Sequence, residues 1–182
     1  LVALLGMFFL YKLSFLITED WIKSLLVTMI AMTSPVYAYY FNGFIPGIPA
    51  LTFAIIALYC YVKYLNNSEI RTFCFSLLFI TLSVLTRMSF AVIWVALLGF
   101  EFLRILRKET TFLDKLLPVA ISIIVFLSYY FWNKHLAAEH GTLFLGKLLP
   151  ANDWADFWDR MRAAKENWQY HYFGKIHYRL FL

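Results

Sequence analysis

The chain has 182 residues, of which 62% are hydrophobic and only 15% are charged, and its formal net charge is +5. Soluble domains are about 45–50% apolar, so this composition excludes an ordinary soluble globular domain and indicates a membrane protein. The positive charge lies mainly in short loops between apolar segments, so we infer no nucleic-acid partner. The sequence starts and stops within apolar runs, and we expect it to be an internal piece of a longer protein.

Six apolar runs are candidates for membrane-spanning helices, because crossing about 30 Å of hydrocarbon takes roughly 20 residues. In chain order they cover approximately 1–17, 22–41, 48–64, 71–86, 88–104 and 114–132. The predicted fold is therefore an all-α membrane protein. It consists of a bundle of about six transmembrane helices in residues 1–132, followed by an extracytoplasmic segment in residues 133–182.

The charges between the spans predict an orientation. If the six spans alternate in direction, seven cations share one face of the bundle: Lys23, Lys63, Arg71, Arg104, Arg107, Lys108 and Lys115. The short loops on the other face carry only Arg87. The positive-inside rule makes the seven-cation face cytoplasmic. Loop 42–47, Arg87 and the tail from about residue 133 are then predicted to face outward.

Arg87 is the most informative residue of this pattern. It is the only charged residue between Arg71 and Glu101. A guanidinium stays protonated, and placing it at bilayer depth costs about 2.5–3.5 kcal/mol on insertion scales. The side chain must therefore reach water, a phosphate or a carboxylate. The short runs that flank it, 71–86 and 88–104, predict that Arg87 lies slightly below the membrane surface, where it either snorkels as an anchor or lines a wet cavity.

A second polar stretch, residues 34–49, ends one span and begins the next. Pro35 can bend its helix, and Asn42-Gly43 favours a turn. Three tyrosines are predicted near the outer interface: Tyr37, Tyr39 and Tyr40. Turn chemistry and an aromatic belt explain most of this stretch, but we expect it to share one outer surface with residues 85–90.

The tail, residues 133–182, differs from the rest because it holds all four histidines and twelve charged residues. A start signal at Asn152-Asp153 predicts a helix. Its large apolar side chains fall on one stripe: Trp154, Phe157, Trp158, Met161 and Trp168. Such a stripe opposite charged residues favours a helix lying in the membrane interface, and the alternative is that it packs against a further soluble domain.

Two other patterns carry no function. Gly141 to Lys147 resembles a phosphate-binding loop, but Leu148 stands where a magnesium-binding Ser or Thr is needed. The histidines have no zinc-ligand spacing and no supporting cysteines: His135, His140, His171 and His177. The sequence therefore indicates no metal or other cofactor.

The order of several short motifs resembles one known family. A Ser-Pro-x-x-x-Tyr-Tyr segment (34–40) and a proline-containing turn precede Leu-Tyr-x-Tyr-x-Lys-Tyr (58–64) and Leu-Thr-Arg (85–87). Trp-x-Tyr-His-Tyr-Phe-Gly-Lys-x-His-Tyr-Arg (168–179) follows. Together, over roughly residues 20–182, they resemble the GT-C membrane glycosyltransferases, of the protein O-mannosyltransferase and aminoarabinose-transferase kind, in bacteria.

The resemblance implies an enzyme that moves a sugar from a polyprenyl-phosphate-linked donor to a glycan, lipid or protein acceptor. Its active site would face the periplasm or exterior of the bacterial inner membrane. Arg87 would contact the donor phosphate, because arginine offers bidentate contacts to phosphate. The other candidate substrate-binding residues are Asn42, Tyr39 and Tyr40, which would shape the pocket, and Tyr172, His177 and Arg179 from the tail.

The chain also departs from that family. The family's catalytic aspartate lies in a first outer loop to which nothing here corresponds, and Gly47 stands where many relatives have an aspartate after the turn proline. The catalytic base is therefore either in another part of the protein or missing from an inactive relative. Three other functions remain open: a lipid or solute transporter or flippase, an O-antigen polymerase or ligase, and a purely structural membrane subunit. An acidic pair in the sequence upstream would favour the transferase.

Overall fold

The computed structural model describes residues 2–34, 37, 46–108, 113–140 and 153–171. These residues form the helices α1 (Val2–Thr18), α2 (Trp21–Thr33), α3 (Gly47–Asn67), α4 (Ile70–Thr86), α5 (Ala91–Leu106), α6 (Leu113–His140) and α7 (Trp154–His171), with a 3-10 turn, Met88–Phe90, before α5. No strand occurs in these ranges. The predicted all-α class is therefore confirmed for the described part of the chain.

Three helical segments are long and apolar enough to cross a membrane, judged by length and composition: Gly47–Asn67, Met88–Leu106 and Asp114–Leu136. Helices α1, α2 and α4 are also apolar, but they have only 17, 13 and 17 residues. The predicted span 22–41 is described only as far as residue 34, apart from Tyr37. Three of the six predicted spans therefore meet the length and composition of a transmembrane helix.

Helices α1 to α6 alternate in direction, which is what the division of the charges between two faces assumed. Val2 at the start of α1 accepts a hydrogen bond from Thr52 near the start of α3, so these two helices run the same way. Helix α2 runs back along α1 in the opposite direction, with the Ser24 hydroxyl 3.1 Å from that of Thr18 at the end of α1. The α3–α4 and α5–α6 pairs are antiparallel. The bundle therefore has two ends, which we call the Arg87 end and the Glu101 end.

Small residues let α3 and α4 approach closely. Ala50, Ala54 and Ala57 of α3 are at most 1% exposed. Ser83 of α4 donates a hydrogen bond to the Ala50 carbonyl at 2.7 Å, and Ser76 donates to the Ala57 carbonyl at 2.8 Å. Because the hydrocarbon around a membrane helix offers no hydrophobic gain for association, small residues and hydrogen bonds between helices hold such pairs together.

Helix α2 begins with a side-chain cap. The Asp20 carboxylate accepts hydrogen bonds from the backbone N–H groups of Ile22 at 2.9 Å and Lys23 at 3.3 Å. The backbone N–H of Lys23 and then that of Ile22 lower the pKa of Asp20 below its ordinary value of 3.8. The cap fixes the turn between α1 and α2 at the Glu101 end.

The last two helices define the second half of the chain. Helix α6 contains Pro118 and runs to His140, so the predicted boundary at 132/133 falls inside it. The predicted tail helix is confirmed: Asp153 accepts a hydrogen bond from the backbone N–H of Asp156 at 2.7 Å, and α7 begins at Trp154. Four side chains of the predicted stripe are exposed: Trp154, Phe157, Trp158 and Met161.

Candidate functional site

Arg87 ends α4 at one end of the bundle. Its backbone is extended, with φ −151° and ψ 114°, and its N–H donates to the Ser83 carbonyl at 2.9 Å. The side chain is exposed, and within the described residues it forms no ion pair or side-chain hydrogen bond. The extended residue breaks the apolar helical run and leaves the guanidinium available to an outside anion.

The Arg87 side chain lines a cavity of about 350 Å³ between α2, α3 and the turn before α5. The other lining residues are Ala31, Ser34, Tyr37, Gly47, Ile48, Leu51 and Phe90. The Tyr37 hydroxyl donates a hydrogen bond to the Ala3 carbonyl at 3.1 Å, which ties this wall to α1. The structure thus brings residues of the 34–49 stretch and of the 85–90 stretch to one cavity.

The remaining predicted site residues lie outside the described part of the chain: Tyr39, Tyr40, Asn42, Tyr172, His177 and Arg179. Their roles stay predictions. Among the described residues, Arg87 is the member of the predicted site that the structure places, and Ser34, Tyr37 and Phe90 are its neighbours around the cavity.

All seven cations of the predicted face lie at the Glu101 end, opposite Arg87. Lys63 and Arg71 flank the turn from α3 to α4, and Arg107 and Lys108 follow α5. Lys23 lies beyond the end of α1, where it pairs with Asp20 at 3.3 Å. The separation of Arg87 from these seven cations, read from the sequence, is therefore a feature of the folded bundle.

The structure also contains a buried ionic cluster that the sequence analysis missed. Glu101 of α5 is 2% exposed and Lys115 of α6 is 5% exposed. The Glu101 carboxylate accepts hydrogen bonds from Tyr61 at 2.8 Å and Tyr64 at 3.2 Å, and it forms salt bridges with Arg104 at 3.2 Å and with Lys115. We call these five residues the Glu101 cluster.

Four donors occupy the two oxygens of Glu101, and this determines what the cluster can do. Oε2 accepts from Tyr61 and Arg104, while Oε1 accepts from Tyr64 and Lys115. A carboxylate has about four lone-pair sites, so Glu101 keeps no site for a substrate proton. The Lys115 ammonium also lies 5.2 Å from the centre of the Tyr64 ring. The cluster joins α3, α5 and α6 and has the chemistry of a structural tie.

A metal centre finds no support in the described ranges, which contain no group of three or more His, Cys, Asp or Glu side chains placed to hold a metal ion.

Comparison with protein-family models, curated proteins and solved structures finds no match to this chain. The described residues therefore form an all-α structure that includes three helices of membrane-spanning length and composition, with Arg87 exposed at one end of the bundle and a buried ionic cluster at the other.

Proposed function

We propose that the chain is part of a glycosyltransferase that moves a sugar from a polyprenyl-phosphate-linked donor to an acceptor at the outer face of a bacterial inner membrane. The observation that carries this proposal is Arg87: an exposed guanidinium in the wall of a cavity, with no ion pair among the described residues. An unpaired arginine near the hydrocarbon needs an anion, and a lipid phosphate offers one at that depth.

The depth of Arg87 follows from its distance along α4. The Thr81 and Ser122 hydroxyls are 2.7 Å apart, so these residues of α4 and α6 lie at one level. Arg87 is six residues, or about 9 Å, further along α4. The same step along α6 reaches residue 128, just before the Tyr-Tyr-Phe-Trp segment 129–132. Tyrosine and tryptophan mark membrane interfaces, which supports a headgroup-level position for Arg87.

The proposed topology keeps six spans. Helix α4, with 17 residues, is about 25 Å long, which is shorter than the 30 Å hydrocarbon layer. The local bilayer would thin, or the ends of α4 would lie slightly below the surface. Helix α7 would then rest in the outer interface, with Trp154 and Trp158 toward the lipid.

The proposed chemistry assigns Arg87 to the leaving group. A carboxylate outside the described residues would take the proton of the acceptor hydroxyl as its oxygen attacks the anomeric carbon. The bond from that carbon to the lipid phosphate breaks with inversion, and the phosphate keeps the electron pair. Arg87 would stabilise the charge that grows on this phosphate. Glu101 does not take the base's role, because its oxygens are occupied and it lies at the opposite end.

The test is sugar transfer by the complete protein in membranes supplied with a panel of polyprenyl-phosphate-linked sugars. Hydrogen bonds to charged groups contribute about 1.5–3 kcal/mol, so Arg87→Ala should lower the transfer rate by about 10- to 150-fold. Arg87→Lys keeps the charge without the bidentate geometry and should recover part of the rate. Arg107→Ala removes an exposed cation at the opposite end and is the matched control.

Two results would reject the proposal. One is a normally inserted Arg87→Ala protein with an undiminished transfer rate. The other is a wild-type protein that moves the labelled donor across the bilayer while the sugar stays on the lipid, which would favour the flippase alternative.

A further inference from the structure

An apolar groove of about 450 Å³ runs between α4 and α6, on the side of α4 that faces away from the Arg87 cavity. Its walls are mainly apolar and include Cys74, Leu78, Leu82 and Leu85 of α4 and Leu117 and Ile121 of α6. Its two hydroxyl residues, Thr81 and Ser122, bond to each other, and Ser122 accepts the indole N–H of Trp94 at 2.8 Å. The polar groups of the groove are thus satisfied internally, and its walls suit an alkyl chain.

The groove has the length of one membrane leaflet. From Cys74 to Leu85 there are eleven residues, which is roughly 16 Å along a helix. The hydrocarbon core is about 30 Å thick, so one leaflet contributes about 15 Å. The groove therefore accommodates an acyl chain from one leaflet, and a much longer isoprenoid would extend beyond it.

Arg71 lies where the groove opens at the Glu101 end. With about 100° per residue, Arg71 lies within about 60° of Cys74, Leu78 and Leu82 around the α4 axis. Ser76, which bonds α3, lies about 140° away from Arg71. Arg71 is thus on the groove face, one turn beyond its last apolar residue.

The charge of Arg71 has no ionic partner among the residues that the structure describes. The residue is exposed and forms no ion pair within the described residues. It lies in the first turn of α4, where the helix dipole disfavours a cation. Lys115 is in the same unfavourable position on α6, but Glu101 neutralises it. The Arg71 guanidinium is thus available to bind an external anion.

We propose that a phospholipid with an anionic head group binds between α4 and α6. One acyl chain lies in the groove, and its phosphate contacts Arg71. The site is at the opposite end from Arg87, so it is independent of sugar transfer. Charge complementarity selects the head group, and the position of Arg71 selects a lipid of the leaflet at the Glu101 end.

The experiment measures lipid binding to the full chain in detergent by native mass spectrometry, with phosphatidylglycerol and phosphatidylcholine as probes. One phosphatidylglycerol should bind more tightly than phosphatidylcholine. Arg71→Gln should weaken phosphatidylglycerol binding by about fivefold, since one cation near a membrane surface contributes about that factor. Arg107→Gln removes an exposed cation at the same end but off the groove, and should leave binding unchanged. Leu82→Trp, which fills the groove, should weaken the binding of both lipids.

Each opposite outcome overturns the proposal. If Arg71→Gln and Arg107→Gln weaken phosphatidylglycerol binding equally, the lipid responds only to the general positive charge of this end of the bundle. If Arg87→Gln weakens phosphatidylglycerol binding and Arg71→Gln does not, the acyl chain enters the groove from the Arg87 end. Displacement by soluble glycerol phosphate would indicate a free-phosphate site. If Leu82→Trp does not fold, as judged by circular dichroism, Leu78→Trp tests the groove in its place. Unchanged lipid binding in the folded variant rejects the proposed site.

Discussion

Removing the Glu101 carboxylate should destabilise the protein more than any other single change in the Glu101 cluster. In Glu101→Ala, Lys115 at 5% exposure loses the carboxylate that neutralises it, Arg104 loses one of its partners, and two buried hydroxyls lose their acceptor. Deleting one partner of a buried ion pair costs about 3–5 kcal/mol. We therefore expect the free energy of unfolding to fall by about that amount.

The assay is reversible unfolding in mixed micelles, followed by circular dichroism. Tyr61→Phe removes one donor and leaves the charges in place, so it should cost only about 1–2 kcal/mol. The double variant Glu101→Leu with Lys115→Met removes both buried charges, and should be more stable than Glu101→Ala. A Glu101→Ala protein within 1 kcal/mol of the wild type would refute the view that this carboxylate ties three helices together.

Three further predictions concern other parts of the bundle. A Cβ added at Gly6 would lie 2.6 Å from Oγ1 of Thr52, so Gly6→Ala should lower the free energy of unfolding by about 1–3 kcal/mol. A Cβ added at Gly99 meets nothing within 4 Å, so Gly99→Ala should leave the free energy of unfolding unchanged. Equal effects of the two substitutions would contradict the close α1–α3 packing. Ser122→Ala leaves a buried indole N–H without its acceptor and should cost about 1–3 kcal/mol in the same assay, and no loss would mean that the bond contributes nothing. Because folding lowers the pKa of Asp20, its cap contributes stability above pH 3.8 that is lost as the pH falls through the lower, folded-state pKa. The difference in free energy of unfolding between wild type and Asp20→Ala should therefore shrink over that pH range. A difference that does not depend on pH would exclude the charged cap.

The sequence predicted those features that depend on local pattern. Apolar runs located the helices, Asp153 located the start of α7, and the assumed alternation of the spans placed Arg87 opposite the seven cations of the predicted face. Each of these follows from residues close together in the chain. Helix ends were predicted less accurately: α6 runs eight residues beyond the predicted 132, because the charged and polar residues that follow do not stop a helix.

The Glu101 cluster could not be predicted in the same way. Tyr61, Glu101 and Lys115 lie on three helices, and their meeting depends on the rotation and register of each. One signal was present in the sequence: a lone carboxylate within an apolar span must find partners. The groove between α4 and α6 likewise depends on how far apart two helices lie, which no single-helix pattern encodes.

The spacing of the Glu101 cluster along the chain has a consequence for biosynthesis. Lys115 follows Glu101 by fourteen residues, so α5 is fully made before the lysine leaves the ribosome. Until α6 is made, the partners of the carboxylate among the described residues are Arg104 and the two tyrosines of α3. Once α6 is inserted, its Lys115 pairs with Glu101 and stabilises the contact between α3 and α5. Translation stopped between residues 106 and 113 should therefore yield a chain that quality-control proteases remove faster than one extended through α6.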